Sequence, residues 1–82
     1  MIQRITVIGA GATGHTVAAV MAMRGFQVTM YDDTRFTPQL NAVKELGGIQ
    51  LRGRARGTGT PAKVTTDGAE AVRGAQAIFV HV

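Results

Sequence analysis

Three glycines at fixed spacing, Gly9, Gly11 and Gly14, punctuate the run Ile5-Thr6-Val7-Ile8-Gly9-Ala10-Gly11-Ala12-Thr13-Gly14-His15. An apolar, β-branched stretch precedes them and a helical pattern follows. Strand, G-x-G-x-x-G and helix in that order form a turn suited to a dinucleotide pyrophosphate, and each glycine has a separate task. Gly9 makes the tight turn off the strand, Gly11 lets backbone approach the phosphates, and Gly14 lets the helix lie against the first strand. Ala12 and Thr13 line the same turn, where the Thr13 hydroxyl can either donate to phosphate or cap the helix. Unpaired N–H groups and the positive end of the helix dipole favour an anion at this point.

Asp32 ends the next strand, roughly twenty residues beyond the glycines, where an acid can accept hydrogen bonds from the adenosine ribose. A carboxylate there repels a 2′-phosphate, so the pattern favours NAD(H) over NADP(H). Arg35 close by keeps NADP(H) as the lesser alternative. Asp33 can exchange roles with Asp32 if the strand runs one residue further, and otherwise reads as a solvated turn residue. No G-K-[S/T] follows the glycines, which argues against a phosphate-cradling NTPase. His15, in the first helical turn, reads as a hydrogen-bonding group near the pyrophosphate or a partner domain rather than a catalytic one. His81 closes the last strand at the carboxyl edge, as an ordinary strand end or part of the cleft lining. No residue is assigned a catalytic or metal-binding role.

The elements that must position these residues follow from periodicity and capping. Arg4–Ile8 reads as a strand buried on both faces. Gly14, Val17, Ala18, Met21, Ala22 and Gly25 recur on one helical face, with Gly25 as the stop. Phe26–Tyr31 is a second strand. Thr37 is an N-cap candidate with Pro38 at the first helical position, and that helix runs to Gly47-Gly48. Ile49–Arg52 and Ala62–Thr65 are strand pieces around a glycine-rich turn. Asp67 and Glu70 have the spacing of a capping box for a short helix over Gly68–Arg73. Ala77–Val82 is a last apolar strand. Alternating strands and helices call for an α/β fold, a Rossmann-type parallel sheet with helical crossovers comprising the first half plus a fourth strand.

The 82 residues suffice for one small domain, spanning 1–82. There is no cysteine, hence no disulfide or thiolate metal site, and the expected compartment is the reducing cytoplasm. The opening residues lead straight into a strand, so no secretory signal is expected. The longest apolar run, Val17 to Met23, is too short to cross a bilayer. The net charge of +4 raises the question of nucleic acid, with Arg52, Arg54 and Arg56 grouped on a glycine-spaced loop. Three phenylalanines and one tyrosine are too few for a stacking surface, and a solvated loop is the favoured reading, with a phosphate-contacting or substrate-facing patch as the alternative.

With ITVIGAGATGHTVAA, VTMYD, Gly47-Gly48-Ile49-Gln50-Leu51 with Gly53, Val64-Thr65-Thr66-Asp67 and Glu70–Ala75, the chain resembles the amino-terminal domain of the octopine/nopaline (opine) dehydrogenases over nearly its whole length. The glycine fingerprint alone is shared with ketopantoate reductases and glycerol-3-phosphate dehydrogenases. The resemblance implies reductive condensation of an amino acid with a 2-oxo acid, with hydride delivered from NAD(H) to an imine carbon. Gly9, Gly11 and Gly14 would hold the pyrophosphate turn and Asp32 the ribose. Ala12-Thr13 stand where many members carry Asn-Gly, which changes what lines the pyrophosphate. The family's catalytic histidine and aspartate belong to a carboxyl-terminal helical domain, so the chain is expected to be an amino-terminal piece of a longer dehydrogenase and inactive alone. Two alternatives are a ketopantoate-reductase-like NADP(H) enzyme and a non-catalytic nucleotide-binding or interaction module. The last strand is expected to be an edge that self-associates, and the outer side of the first helix, Ala19, Val20 and Met23, to be covered by another domain.

Overall fold

The computed structural model describes residues 2–51 and 56–80. Strand β1 (Arg4–Ile8) enters helix α1 (Ala12–Met23), and β2 (Gln27–Tyr31) leads through a 3-10 turn (Thr34–Phe36) into α2 (Thr37–Leu46). Then come β3 (Ile49–Leu51), β4 (Gly57–Gly59), β5 (Lys63–Thr65), α3 (Gly68–Val72) and β6 (Ala77–Val80). The main sheet has the order β5-β2-β1-β6 with every pairing parallel. This is the α/β architecture read from the alternation of strands and helices. β1 and β2 run in register from Arg4 opposite Gln27 to Ile8 opposite Tyr31, so their carboxyl ends finish together.

Alternation along the strands puts Ile5, Val7, Val28 and Met30 on one face. They form one buried cluster with Ala18 and Ala19 of α1, Leu40 and Val43 of α2, and Ile49. The opposite face carries α3, joined to the sheet by Thr6, whose buried Oγ1 donates to the Ala71 carbonyl at 2.6 Å. Gln76 fixes the entry of β6. Its Oε1 accepts from the Gln3 and Arg4 amides at 2.7 and 2.9 Å, and its own N–H donates to the Arg4 carbonyl at 2.9 Å.

Several local expectations are modified. Thr37 does not cap α2: the 3-10 turn runs directly into the helix, Phe36 takes the cap position, and Thr37 Oγ1 donates to the Thr34 carbonyl at 2.8 Å. At α3, Asp67 Oδ1 accepts from the Glu70 amide at 3.1 Å, which is one half of a capping box. The other half is replaced, because the Asp67 N–H donates to Thr65 Oγ1 and the Glu70 carboxylate reaches Lys63 Nζ at 3.1 Å.

The two expected strand pieces do not pair with each other. β5 joins the main sheet beside β2, and β3 pairs with Gly57–Gly59 as an antiparallel hairpin. That strand escapes a propensity reading because two of its three residues are glycine. Its glycines are what let it press on α1: a Cβ on Gly59 would collide with the backbone of Ala19, and one on Gly57 with Cε of Met23. Ala19 is therefore fully buried under the chain's own hairpin, and Val20 is half-buried. The expectation that this side of α1 awaits another domain is corrected to that extent.

In the basic stretch, Arg52 and Arg54 lie outside the described residues, as do His81 and Val82 of the expected last strand. β6 pairs with β1 and exposes Ile78, Phe79 and Val80. Among the described residues, no helix is long and apolar enough to cross a membrane.

The hairpin contact has a measurable consequence. Gly59→Ala is expected to lower the stability seen in urea unfolding by about 1–3 kcal/mol, the usual cost of overpacking, because the Ala19 neighbour is backbone and cannot swing aside.

Candidate functional site

The carboxyl ends of β1 and β2 meet at the glycine turn. Gly9 adopts φ of 121°, a conformation that side chains disfavour, and its N–H donates to the Tyr31 carbonyl at 2.8 Å. This bond turns the chain off β1 and across the end of β2. Gly14 then packs directly over the turn, where any Cβ would fall on the Gly9 carbonyl oxygen and carbon. Both tasks assigned from the sequence, the tight turn and the close packing, are met by these two residues.

Gly11 differs in kind. It caps α1 in an ordinary extended conformation with φ of −75°, is exposed, and would have nothing of the protein within 4 Å of a Cβ. Neither folding strain nor internal packing calls for glycine here; the absent side chain instead leaves open the space immediately outside the helix. The first hydrogen bond of the α1 register runs from the His15 N–H to the Gly11 carbonyl at 3.0 Å, so the amides of Ala12, Thr13 and Gly14 have no acceptor within the helix. Open space beside three such donors, at the positive end of a helix, suits an anion.

Ala12 and Thr13 belong to the first turn of α1 rather than to a preceding loop, and Thr13 is exposed without being the helix cap. His15 Nδ1 lies 3.1 Å from the Gly11 carbonyl, and since a carbonyl can only accept, this nitrogen donates in that contact. The ring is thereby tied to the helix start.

Asp32 sits at the carboxyl end of β2, held from two sides. Its Oδ2 accepts from the Ala10 N–H and its Oδ1 from the Asp33 N–H, each at 2.7 Å. An ionised carboxylate offers about four lone-pair sites, so two remain for a diol such as a ribose. The bond to Ala10 was not foreseen from the sequence. Its signal was only partial: the sequence shows Ala10 between two glycines, and its burial, which obliges the amide to find an acceptor, emerges in the structure.

Asp33 does not share this role. Its carboxylate grips Arg35 through Oδ2 to Nη2 at 2.6 Å and to Nε at 3.0 Å, and its Oδ1 accepts from the Arg35 amide at 2.9 Å. The hydrogen-bonded guanidinium holds the Asp33 carboxyl below the usual carboxylate range, and the same contact raises Arg35.

Residues 4–78 match the family model of the 3-hydroxyacyl-CoA dehydrogenase NAD-binding domain. The chain belongs to this family. A search of curated proteins finds no match. As a member, the chain is an NAD-binding dehydrogenase domain, and the glycine turn and Asp32 occupy the end of the sheet where such folds receive their ligands.

Two pairs of substitutions separate packing from binding. Gly14→Ala is expected to cost about 3 kcal/mol, the upper part of the overpacking range, whereas Gly11→Ala should stay within about 1 kcal/mol of wild type; chemical denaturation reads both. Asp32→Ala is expected to lose about 1–3 kcal/mol by stranding the Ala10 amide, with Asp32→Asn retaining part of that because its amide oxygen can still accept.

Proposed function

We propose that residues 1–82 form a cofactor-binding domain that holds NAD(H) through Gly9, Gly11, Ala12, Thr13, Gly14 and Asp32. The observation that carries this reading is the pairing of an open Gly11 position at a helix start with a carboxylate anchored on the amide of the preceding residue, Ala10. In it, the amides of Ala12, Thr13 and Gly14 donate to the pyrophosphate, and the free lone pairs of Asp32 accept from the ribose hydroxyls. When bound, the nicotinamide supplies a hydride donor or acceptor. None of this chain's residues is given an acid–base role.

For the reaction, the resemblance to opine dehydrogenases supports reductive condensation of an amino acid with a 2-oxo acid, the acid–base groups coming from a separate substrate domain. The family match favours a second reading, oxidation at the hydroxyl carbon of a 3-hydroxyacyl thioester. A ketopantoate-reductase-like use of NADP(H) fits less well, because a carboxylate at Asp32 opposes a 2′-phosphate.

Calorimetric titration with NADH, ADP-ribose and NADPH tests the cofactor assignment. NADH and ADP-ribose should bind, NADPH more weakly, and Asp32→Asn should weaken NADH about tenfold, the scale of one hydrogen bond to a charged group. Failure of a folded sample to bind either NADH or ADP-ribose contradicts the proposal and supports an interaction module instead.

A further inference from the structure

The turn after β2 contains both groups that decide between the two dinucleotides. An acid accepts the 2′-hydroxyl of NADH, and an arginine receives the 2′-phosphate of NADPH. Asp32 and Arg35 lie three residues apart on this turn. A second acid intervenes, and the two acids face different partners. Asp32 is turned onto the glycine turn through Ala10, while Asp33 is engaged with Arg35 by both carboxylate oxygens.

We propose that Asp33 is a specificity-determining residue: by clamping Arg35 it withholds the guanidinium from a 2′-phosphate and thereby enforces the preference for NADH. The clamp is built into the local backbone. Asp33 caps the 3-10 turn, and the Arg35 amide and guanidinium converge on its one carboxylate. Planar two-point pairing of this kind fixes the direction of a guanidinium as well as its distance. The Arg35 side chain is 82% exposed, so no packing holds it in place once the carboxylate is gone. Both partners are charged at neutral pH, and the Arg35 guanidinium holds the Asp33 carboxyl below the usual carboxylate range.

This inference rests on the dinucleotide assignment above and is tested on wild type, Asp33→Asn, and Asp33→Asn combined with Arg35→Ala, each titrated with NADH and NADPH after a check of folding by thermal melting. Asparagine keeps an oxygen for the Arg35 amide while removing the ion pair. Asp33→Asn should bind NADPH about threefold to fivefold more tightly, the most that an exposed ion pair can withhold, and leave NADH within about twofold. The double variant should return NADPH to its wild-type affinity. NADH binding by wild type with an unchanged NADH/NADPH ratio in Asp33→Asn overturns the clamp alone. A gain that survives in the double variant also overturns it, since loss of a negative charge then suffices. No NADH binding by folded wild type overturns the clamp together with the dinucleotide assignment on which it rests.

Discussion

The site depends on one close approach, that of Gly14 to the carbonyl of Gly9. Because no side chain intervenes, the first turn of α1 rests on the loop that leaves β1, and the helix start is carried to the end of the sheet. The donors at the helix start inherit their position from that contact. The amides of Ala12 and Thr13 face outward because the helix begins there, and Gly11 is exposed because it is the residue between turn and helix. The chain's own hairpin secures the other side of α1, with Gly59 against the Ala19 backbone. The helix is thus fixed between two backbone contacts that only glycine permits.

The second organising interaction is the carboxylate of Asp32 on the Ala10 amide. It couples the end of β2 to the glycine turn and satisfies a buried donor, so the acid has a structural task before any ligand arrives. That task leaves lone pairs unused, so the residue that holds the loop still has acceptor capacity to offer. Asp33, adjacent in sequence, is turned to Arg35 and contributes to the outer side of the same bend. Neighbouring acids of one type thereby receive different work from the backbone that presents them.

Much of this was legible in the residues. The β-branched run of β1, the small-residue face of α1 and the glycine spacing specify strand, turn and helix through strong local preferences, and Asp32 follows from its place at a strand end. The parts that escaped are those set by tertiary partners. β4 is a strand of Gly-Thr-Gly whose existence depends on fitting against α1, not on its own propensity. Thr37 has the chemistry of a cap yet sits inside the first turn because a 3-10 turn precedes it. Glu70 has capping-box spacing, but Lys63 on the neighbouring strand competes for its carboxylate. In the site itself, the spacing named Gly9, Gly11 and Gly14 together, and only the three-dimensional surroundings separate two glycines required by the fold from one with open space beside it.

The most direct test of that distinction is amide chemical-shift mapping of the labelled protein with ADP-ribose, which carries the pyrophosphate and adenosine without the nicotinamide. The account predicts the largest shifts at residues 9–15 and 32–35, with the amino ends of β1 and β5, at Arg4 and Lys63, unchanged. Shifts confined to those amino ends, or none at saturating ligand, would contradict it.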